Sequence, residues 1–371
     1  MSKLWFGLLG VGLLFGLFSA LTVVSQGLGV YNANDVTFWV LPMSGYLFFA
    51  LTAAGLTFLS SLPSVFGMKM YYPIAKRSAL LAGATLLVGV MCKALDLGPW
   101  TTLLNTIHLV LSPNLASPIW WMANLYAIYI AFVAFKFYTI HKGQWHTASG
   151  KTAGLLALGL MLMSYTALSI VFGTADARPA FFGHFTALYF MASAITSGLA
   201  VLFLASMVHF QLIGGMPKEQ EPIFQNISRF FAIMLAVSLF VFILRAVIGY
   251  TSLHEAFDGF RYIAGTALYK GELWLGLIIP LVMLLIPAVR DSTIGRVLVS
   301  IFVLAGMFAG RLVMLLSAQI RPVGAFIENR PEFVSYVPSI YEIGIIVLAL
   351  SLALLIYSIG VKYWKLEATP D

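Results

Sequence analysis

The sequence predicts an all-α, polytopic membrane protein with about ten transmembrane helices. Three observations carry that prediction. Of the 371 residues, 61% are hydrophobic and only 9% are charged, whereas a soluble domain carries roughly 25% charged residues. Mean hydropathy is +0.95, so the solvent for most of these side chains is lipid. Ten apolar segments of about 20 residues, the length that crosses a hydrocarbon core, can be drawn along the chain. In lipid every backbone polar group must be satisfied within the segment, which leaves helices as the form for such runs.

The first segment, Leu4–Val24, follows one basic residue, Lys3, and lacks a small-residue cleavage site, so it reads as an uncleaved helix. Phe38–Leu59 follows a polar stretch, and Ser78–Leu95 begins just after Lys76 and Arg77 and ends beside Lys93 and Asp96. A charge-poor loop, Leu97–Ser117, carries Gly98, Pro99, Trp100 and Pro113 and leads into Pro118–Phe137, with Trp120 and Trp121 in its first turn. Ala153–Phe172 and Gly183–Phe210 follow; the latter contains the small-residue run Ser193–Ala200, which suits close helix packing. Phe230–Gly249, Glu272–Val289, Val297–Ile320 and Pro338–Val361 complete the set. The other long connections are Tyr250–Gly271 and Arg321–Val337.

Basic residues alternate between the two sides. Thirteen (Lys3, Lys69, Lys76, Arg77, Lys136, Lys142, Lys151, Lys218, Arg229, Arg290, Arg296, Lys362 and Lys365) fall on the side that holds both termini. Five (Arg178, Arg261, Lys270, Arg321 and Arg330) fall on the other. The positive-inside rule then places both termini in the cytoplasm, as an even number of spans requires. The net charge of +7 is the product of this topology and not a nucleic-acid footprint. A single cysteine, Cys92, cannot ligate an iron–sulfur cluster or a structural zinc. The six histidines do not form pairs at matching depth on facing helices, so a buried haem is not expected.

Ionisable residues inside spans are costly and point to function or pairing. Asp96 ends an outward-going helix, Asn124 lies two turns into an inward-going one, and His184 opens the sixth. Arg245, Glu272 and Glu342 lie toward outer ends, and Arg311 lies near the middle of the ninth helix. A quinone site needs an apolar slot, a donor to each carbonyl oxygen and a proton acceptor. Asp96 supplies the acceptor, or else a salt bridge to Lys93 at i, i+3. Tyr46, Asn124 and Tyr126 supply uncharged donors, and Ser164 and Ser193 bond back to their own helices or reach a ligand. Arg245, Glu272, Arg311 and Glu342 form either structural pairs or a proton path.

The runs Ala94–Trp100 (ALDLGPW), Ser112–Trp121 (SPNLASPIWW), Ala177–Ala200 and Arg311–Ile345 resemble the polysulfide-reductase membrane-subunit family (NrfD-like), over about residues 35–360. The layout is similar to the ten-span subunits of quinone-linked hydrogenases, sulfite-reduction-associated complexes and alternative complex III. The resemblance implies one integral domain with two four-helix bundles: an extra helix in 1–35, a quinone-binding bundle in 36–175, a second bundle in 176–320, and an outer loop and last helix in 321–371. It implies exchangeable menaquinone or ubiquinone held by Tyr46, Asp96 and Asn124 with His184 beside them, and no haem or cluster in this chain. It also implies a ferredoxin-like iron–sulfur subunit on the outer face, and further partners of cytochrome, molybdopterin or hydrogenase type. The setting is a bacterial or archaeal inner membrane. The chain is then the quinone-reactive subunit of an oxidoreductase, not catalytic by itself. Trp121 stands where some relatives carry an acid, and Met163, Ser164 and Tyr165 stand where some carry a histidine. The other class open to these residues is a secondary transporter or an ion- or proton-translocating subunit. A transporter predicts inverted repeats and broken helices at mid-membrane, which the sequence does not display.

Overall fold

A computed structural model describes residues 3–323 and 331–367; Arg330, counted above among the outer basic residues, lies outside them. Ten helices long and apolar enough to cross a membrane are present among the described residues, and no strand is. They are α1 (Lys3–Gln26), α2 (Leu41–Ser64), α3 (Tyr72–Asp96), α5 (Pro118–His141), α6 (Ala148–Gly173), α7 (Phe185–Leu212), α8 (Glu221–Thr251), the broken span of α10 (Ala267–Leu273) and α11 (Ile279–Leu285), α13 (Thr293–Gln319) and α14 (Ile340–Tyr363). Shorter helices are α4 (Trp100–Leu111), α9 (Asp258–Ala264) and α12 (Pro287–Arg290). Lys3 and Tyr363 lie at one face of the bundle, joined by the Trp5 indole donating to the Ser358 hydroxyl at 3.0 Å. This is called the termini face below, and its opposite the distal face.

Proline stands in the first turn of α2, α3, α5 and α8, where its missing N–H costs nothing. Ser117, Thr147, Ser292 and Ser339 accept backbone N–H groups at the starts of α5, α6, α13 and α14.

Helix α2 is the axis of the molecule. Of its most apolar 18-residue window, 94% of residues are buried, against 28% in both α1 and α5. It packs on α3, α6, α7, α13 and α14. The approach to α7 is backbone to backbone. A Cβ on Gly198 would stand 2.7 Å from the Gly55 carbonyl carbon, so the small-residue run is a packing surface as expected. Outside this core, α1 lies against α14, and α5 lies against α6 and α3.

Three expectations need correction. The Leu97–Ser117 connection is not an extended loop but contains α4, whose Trp100, Leu104, Ile107 and Leu111 are exposed on the distal face. The Tyr250–Gly271 connection likewise folds into a 3-10 turn at Glu255–Phe257, then α9 and the start of α10. Finally, Lys76, Arg77, Lys136 and Arg296, taken as loop charges, are buried. Helices α3 and α13 begin before the drawn starts, so Lys76, Arg77 and Arg296 lie in their opening turns, while Lys136 lies five residues before the end of α5. Two of them meet acids: Arg77–Glu367 at 2.7 Å and Arg296–Glu221 at 3.0 Å.

Candidate functional site

The distal ends of α2, α3 and α5 bring several of the expected residues together. In the last turn of α3, Lys93 Nζ lies 2.7 Å from Asp96 Oδ2. The carboxylate side is enclosed, with the Asp96 side chain 6% exposed and that of Lys93 25% exposed. Lys93 also reaches the Met43 sulfur of α2 at 3.7 Å. Behind the pair, the Tyr31 hydroxyl donates to the Leu95 carbonyl at 2.9 Å. Desolvation, with Asp96 and Glu342 nearby, pushes that phenol well above its ordinary pKa, so it stays neutral. The chain leaves α3 through Gly98 at φ +87°, a left-handed turn whose Cα faces the Leu28 side chain.

One turn along α2 from Met43, the Tyr46 ring is buried and meets Tyr126 of α5 edge-on at 6.0 Å. The Tyr46 hydroxyl has a 3.4 Å contact to the Met122 sulfur, and the Tyr126 phenol lies within reach of the same oxygen. A thioether is a weak acceptor, so this pair of phenols has a proton without a strong partner, which can be donated to a ligand oxygen. Asn124 points another way. Its amide donates to the Trp120 carbonyl at 3.0 Å and to the Val110 carbonyl at 3.5 Å, fastening α4 to α5. The Trp120 indole reinforces this with a 3.2 Å bond to the same Val110 carbonyl. Ser164 is buried on α6 with its hydroxyl unpartnered, and His184 is exposed at the start of α7. The geometry therefore pairs Asp96 with Lys93 and Tyr46 with Tyr126, with Met43 of α2 in contact with Lys93 one turn from Tyr46. It gives Asn124 a lid-fastening contact and sets His184 at the surface.

The other ionisable residues form two separate sites. Arg245 and Glu272 are paired at 2.8 Å and both buried. Tyr189 lies between the arginines: Arg245 stands over its ring at 4.8 Å and Arg311 at 5.1 Å from the centroid. Arg311 donates to the Ser193 hydroxyl at 2.7 Å, while Ser193 itself donates back to the Tyr189 carbonyl at 2.6 Å. Gly310 leaves room for the carboxylate, since a Cβ there would stand 2.6 Å from Glu272 Oε1. Glu342 pairs with no arginine among these contacts. It caps its own helix through the Ser339 N–H at 3.0 Å and accepts the Tyr336 hydroxyl at 2.5 Å and the Asn32 N–H at 3.0 Å.

Sequence reasoning missed a third polar seam. Long side chains fill the space between α2 and α5: Tyr46, Tyr126, Tyr129 and Lys136. The hydroxyls of Thr57 and Tyr129 are 2.5 Å apart, and Lys136 Nζ donates to Ser60 at 2.8 Å and Ser61 at 2.6 Å. The signal was present in the sequence, because the drawn span Pro118–Phe137 already contains Lys136.

Among the described residues no group of three or more His, Cys, Asp or Glu side chains is placed to hold a metal ion. A cavity of about 640 Å³ lies on another side of α2, lined by Phe48, Thr52, Thr85, Leu204, Phe308 and Leu354 among others. It suits hydrocarbon rather than a polar head, and Asp96 and Tyr46 do not line it.

A ten-span helical bundle with an enclosed acid–base pair and buried phenols toward the distal ends of α2, α3 and α5 defines the class as a polytopic membrane protein. The match to known proteins is narrower. The chain belongs to the polysulphide reductase, NrfD family, whose profile matches residues 29–323. It is 24% identical over 359 residues to the Hdr-like menaquinol oxidoreductase integral membrane subunit of Archaeoglobus fulgidus, covering 93% of this chain and 89% of that one. It is 22% identical over 429 residues to a selenate reductase subunit of Mesobacillus selenatarsenatis, covering 100% and 97% respectively.

Proposed function

We propose that this chain is the quinone-reactive membrane subunit of a multi-subunit respiratory oxidoreductase, passing electrons between membrane quinone and an iron–sulfur partner. The observation that carries this is the Tyr46 hydroxyl, buried against a thioether, on the turn of α2 that follows Met43, which touches Lys93 of the enclosed Lys93–Asp96 pair. The residues fit the head group: Tyr46 donates to one ring oxygen, and Asp96 with Lys93 exchanges protons at the other. When bound, a quinone accepts two electrons and two protons, and a quinol returns them. Asp96 has a water route, because it stands at the distal end of α3 and its ion-pair partner is a quarter exposed. The name of the Archaeoglobus relative, a menaquinol oxidoreductase subunit, supports menaquinone over ubiquinone.

The topology is part of the reading. The termini face is taken as cytoplasmic, from the basic asymmetry. The distal face then points outward and receives the partner on α4, on the 255–264 turn and helix, and on the Arg178 and Arg321 loops. These loops are stiffened for the purpose. Arg178 donates to the Ala318 and Gln319 carbonyls at 3.0 and 3.2 Å, closing the C-terminus of α13. Arg321 binds Asp258 and Glu255.

The test is Asp96→Asn in the assembled complex. Quinol-linked turnover is expected to fall by at least tenfold, while partner activity with an artificial dye survives. Unchanged quinol turnover refutes the assignment. Failure to assemble assigns Asp96 to a structural pair with Lys93 instead.

A further inference from the structure

Lys136 is a cation inside a membrane helix with no carboxylate bonded to it among the described residues. Its side chain is 1% exposed. It sits five residues before the end of α5, near enough to the termini face to snorkel into headgroups, yet it turns inward. Its three acceptors are the Ser60 and Ser61 hydroxyls and, at 3.5 Å, the Thr57 carbonyl, all on α2. An ionisable group held at such a position by hydroxyls and a carbonyl is a functional site by default. One turn further toward the distal face, the Thr57 and Tyr129 hydroxyls form the shortest side-chain contact of this seam, at 2.5 Å. Beyond Tyr129, the rings of Tyr126 and Tyr46 follow at centroid spacings of 6.3 and 6.0 Å. The polar groups thus run in file from the termini face toward the head-group site, between α2 and α5. The charged groups near this level on the elements packed against α5 are Lys76 and Arg77 of α3 and Lys151 of α6. Arg77 is bound to Glu367, and none is hydrogen-bonded to Lys136.

We propose that Lys136, Thr57 and Tyr129 form a proton route between the head-group site and the termini face, separate from the distal exit at Asp96. The proposal rests on the quinone reading above. The steps balance without any new reagent. The Lys136 ammonium, bonded to Ser61 and 3.5 Å from the Thr57 carbonyl, gives a proton toward the Thr57 hydroxyl. The Thr57 and Tyr129 hydroxyls each accept one proton and release one, so both end unchanged. The neutral amine is then reprotonated from the aqueous phase at the termini face. Electrons enter from the iron–sulfur partner, and the same chain run backward carries protons out when quinol is oxidised. Electrons from the distal partner meet a proton drawn from the termini face, so the proton carried on this route makes turnover charge-separating, while the one exchanged at Asp96 does not.

The experiment uses the whole complex in proteoliposomes, with Lys136→Met, Thr57→Val and Tyr129→Phe. Three quantities are read: quinol-linked turnover, proton appearance on each side, and the lysine amine signals of 15N-lysine-labelled, quinone-free complex. In the wild type, protons are expected to move at the termini face, and the Lys136 amine, assigned by its loss in Lys136→Met, should titrate with bulk pH. Each variant should lose the termini-side proton signal and slow turnover by at least tenfold, with partner dye activity intact. Variants that keep both turnover and the termini-side signal overturn the route and leave the quinone reading standing. A Lys136 amine that does not respond to pH also overturns it. If Lys136→Met does not assemble, the two near-isosteric hydroxyl deletions decide the matter by the same readouts. A wild-type complex with no quinol turnover at all overturns both readings.

Discussion

Arg245 and Glu272 sit 2.8 Å apart with neither open to solvent, and their pairing was open in the sequence because nothing there says which face of a helix a residue takes. Removing one partner of a buried pair leaves a bare charge, at a cost of about 3–5 kcal/mol. Glu272→Gln is therefore expected to lower the thermal midpoint and yield of purified protein sharply, measured by unfolding in detergent. A midpoint within experimental error of wild type would mean that water already carries the Arg245 charge. Glu367 makes a different prediction, at the termini face. Its hydrogen bond to His209, helped by Arg77, holds its carboxyl below the ordinary glutamate range, against burial that pushes it up. A depressed acid stabilises the fold above its unfolded pKa, and that contribution is lost as pH falls through the folded value. Stability should thus decline on acidification below about pH 4.3, and Glu367→Gln should flatten that decline; an identical slope in the variant counts against the cluster. Lys136 was misread in the sequence because it stands one residue inside the drawn span end, where a lysine ordinarily reaches the headgroups. The Lys93–Asp96 pair was legible because the two stand at i, i+3 at the end of an apolar run.

At the level of helices, existence and order were readable from apolar run length alone, since lipid imposes that length. What run length does not encode is the form of connections and breaks. Helix α4 was hidden because its apolar residues are interleaved with Thr, Asn and His, so no run stands out; its exposed Leu104, Ile107 and Leu111 make it a surface helix rather than a span. The π turn at Trp274–Ile278 between α10 and α11 was equally hidden. It brings Gly276 against Gly306 of α13, where a Cβ on Gly306 would collide with the Gly276 backbone. The run around Gly198 could be read, because small residues at helical spacing have a packing meaning of their own. Gly198→Leu should force α2 and α7 apart, with destabilisation of about 1–3 kcal/mol or more from overpacking. The check is the detergent melting midpoint against that of Gly159→Leu, whose Cβ site is open. Equal midpoints would show that the α2–α7 contact yields freely.

For the molecule as a whole, the basic asymmetry and the even number of spans predict one topology. Reporter fusions after Lys142 and after Lys365 should both read cytoplasmic, and a periplasmic signal from either would reverse the orientation of the distal site and its partner. The site's location at one end was legible in the sequence, because polar residues clustered at the outer ends of several spans. Its composition was only partly so, because Asn124 and His184 lie at the right depth but on other faces. The burial of α2 has a further consequence, for synthesis. This helix is translated well before two of the helices that enclose it, α13 and α14, which lie more than two hundred residues further along the chain. While they are still being translated, its hydroxyl-bearing faces must be sheltered by the insertion machinery or by early neighbours such as α3. The membrane domain therefore cannot close sequentially from its N-terminus, and truncation after α11 should leave a nascent chain held by chaperones rather than released as a smaller, stable bundle.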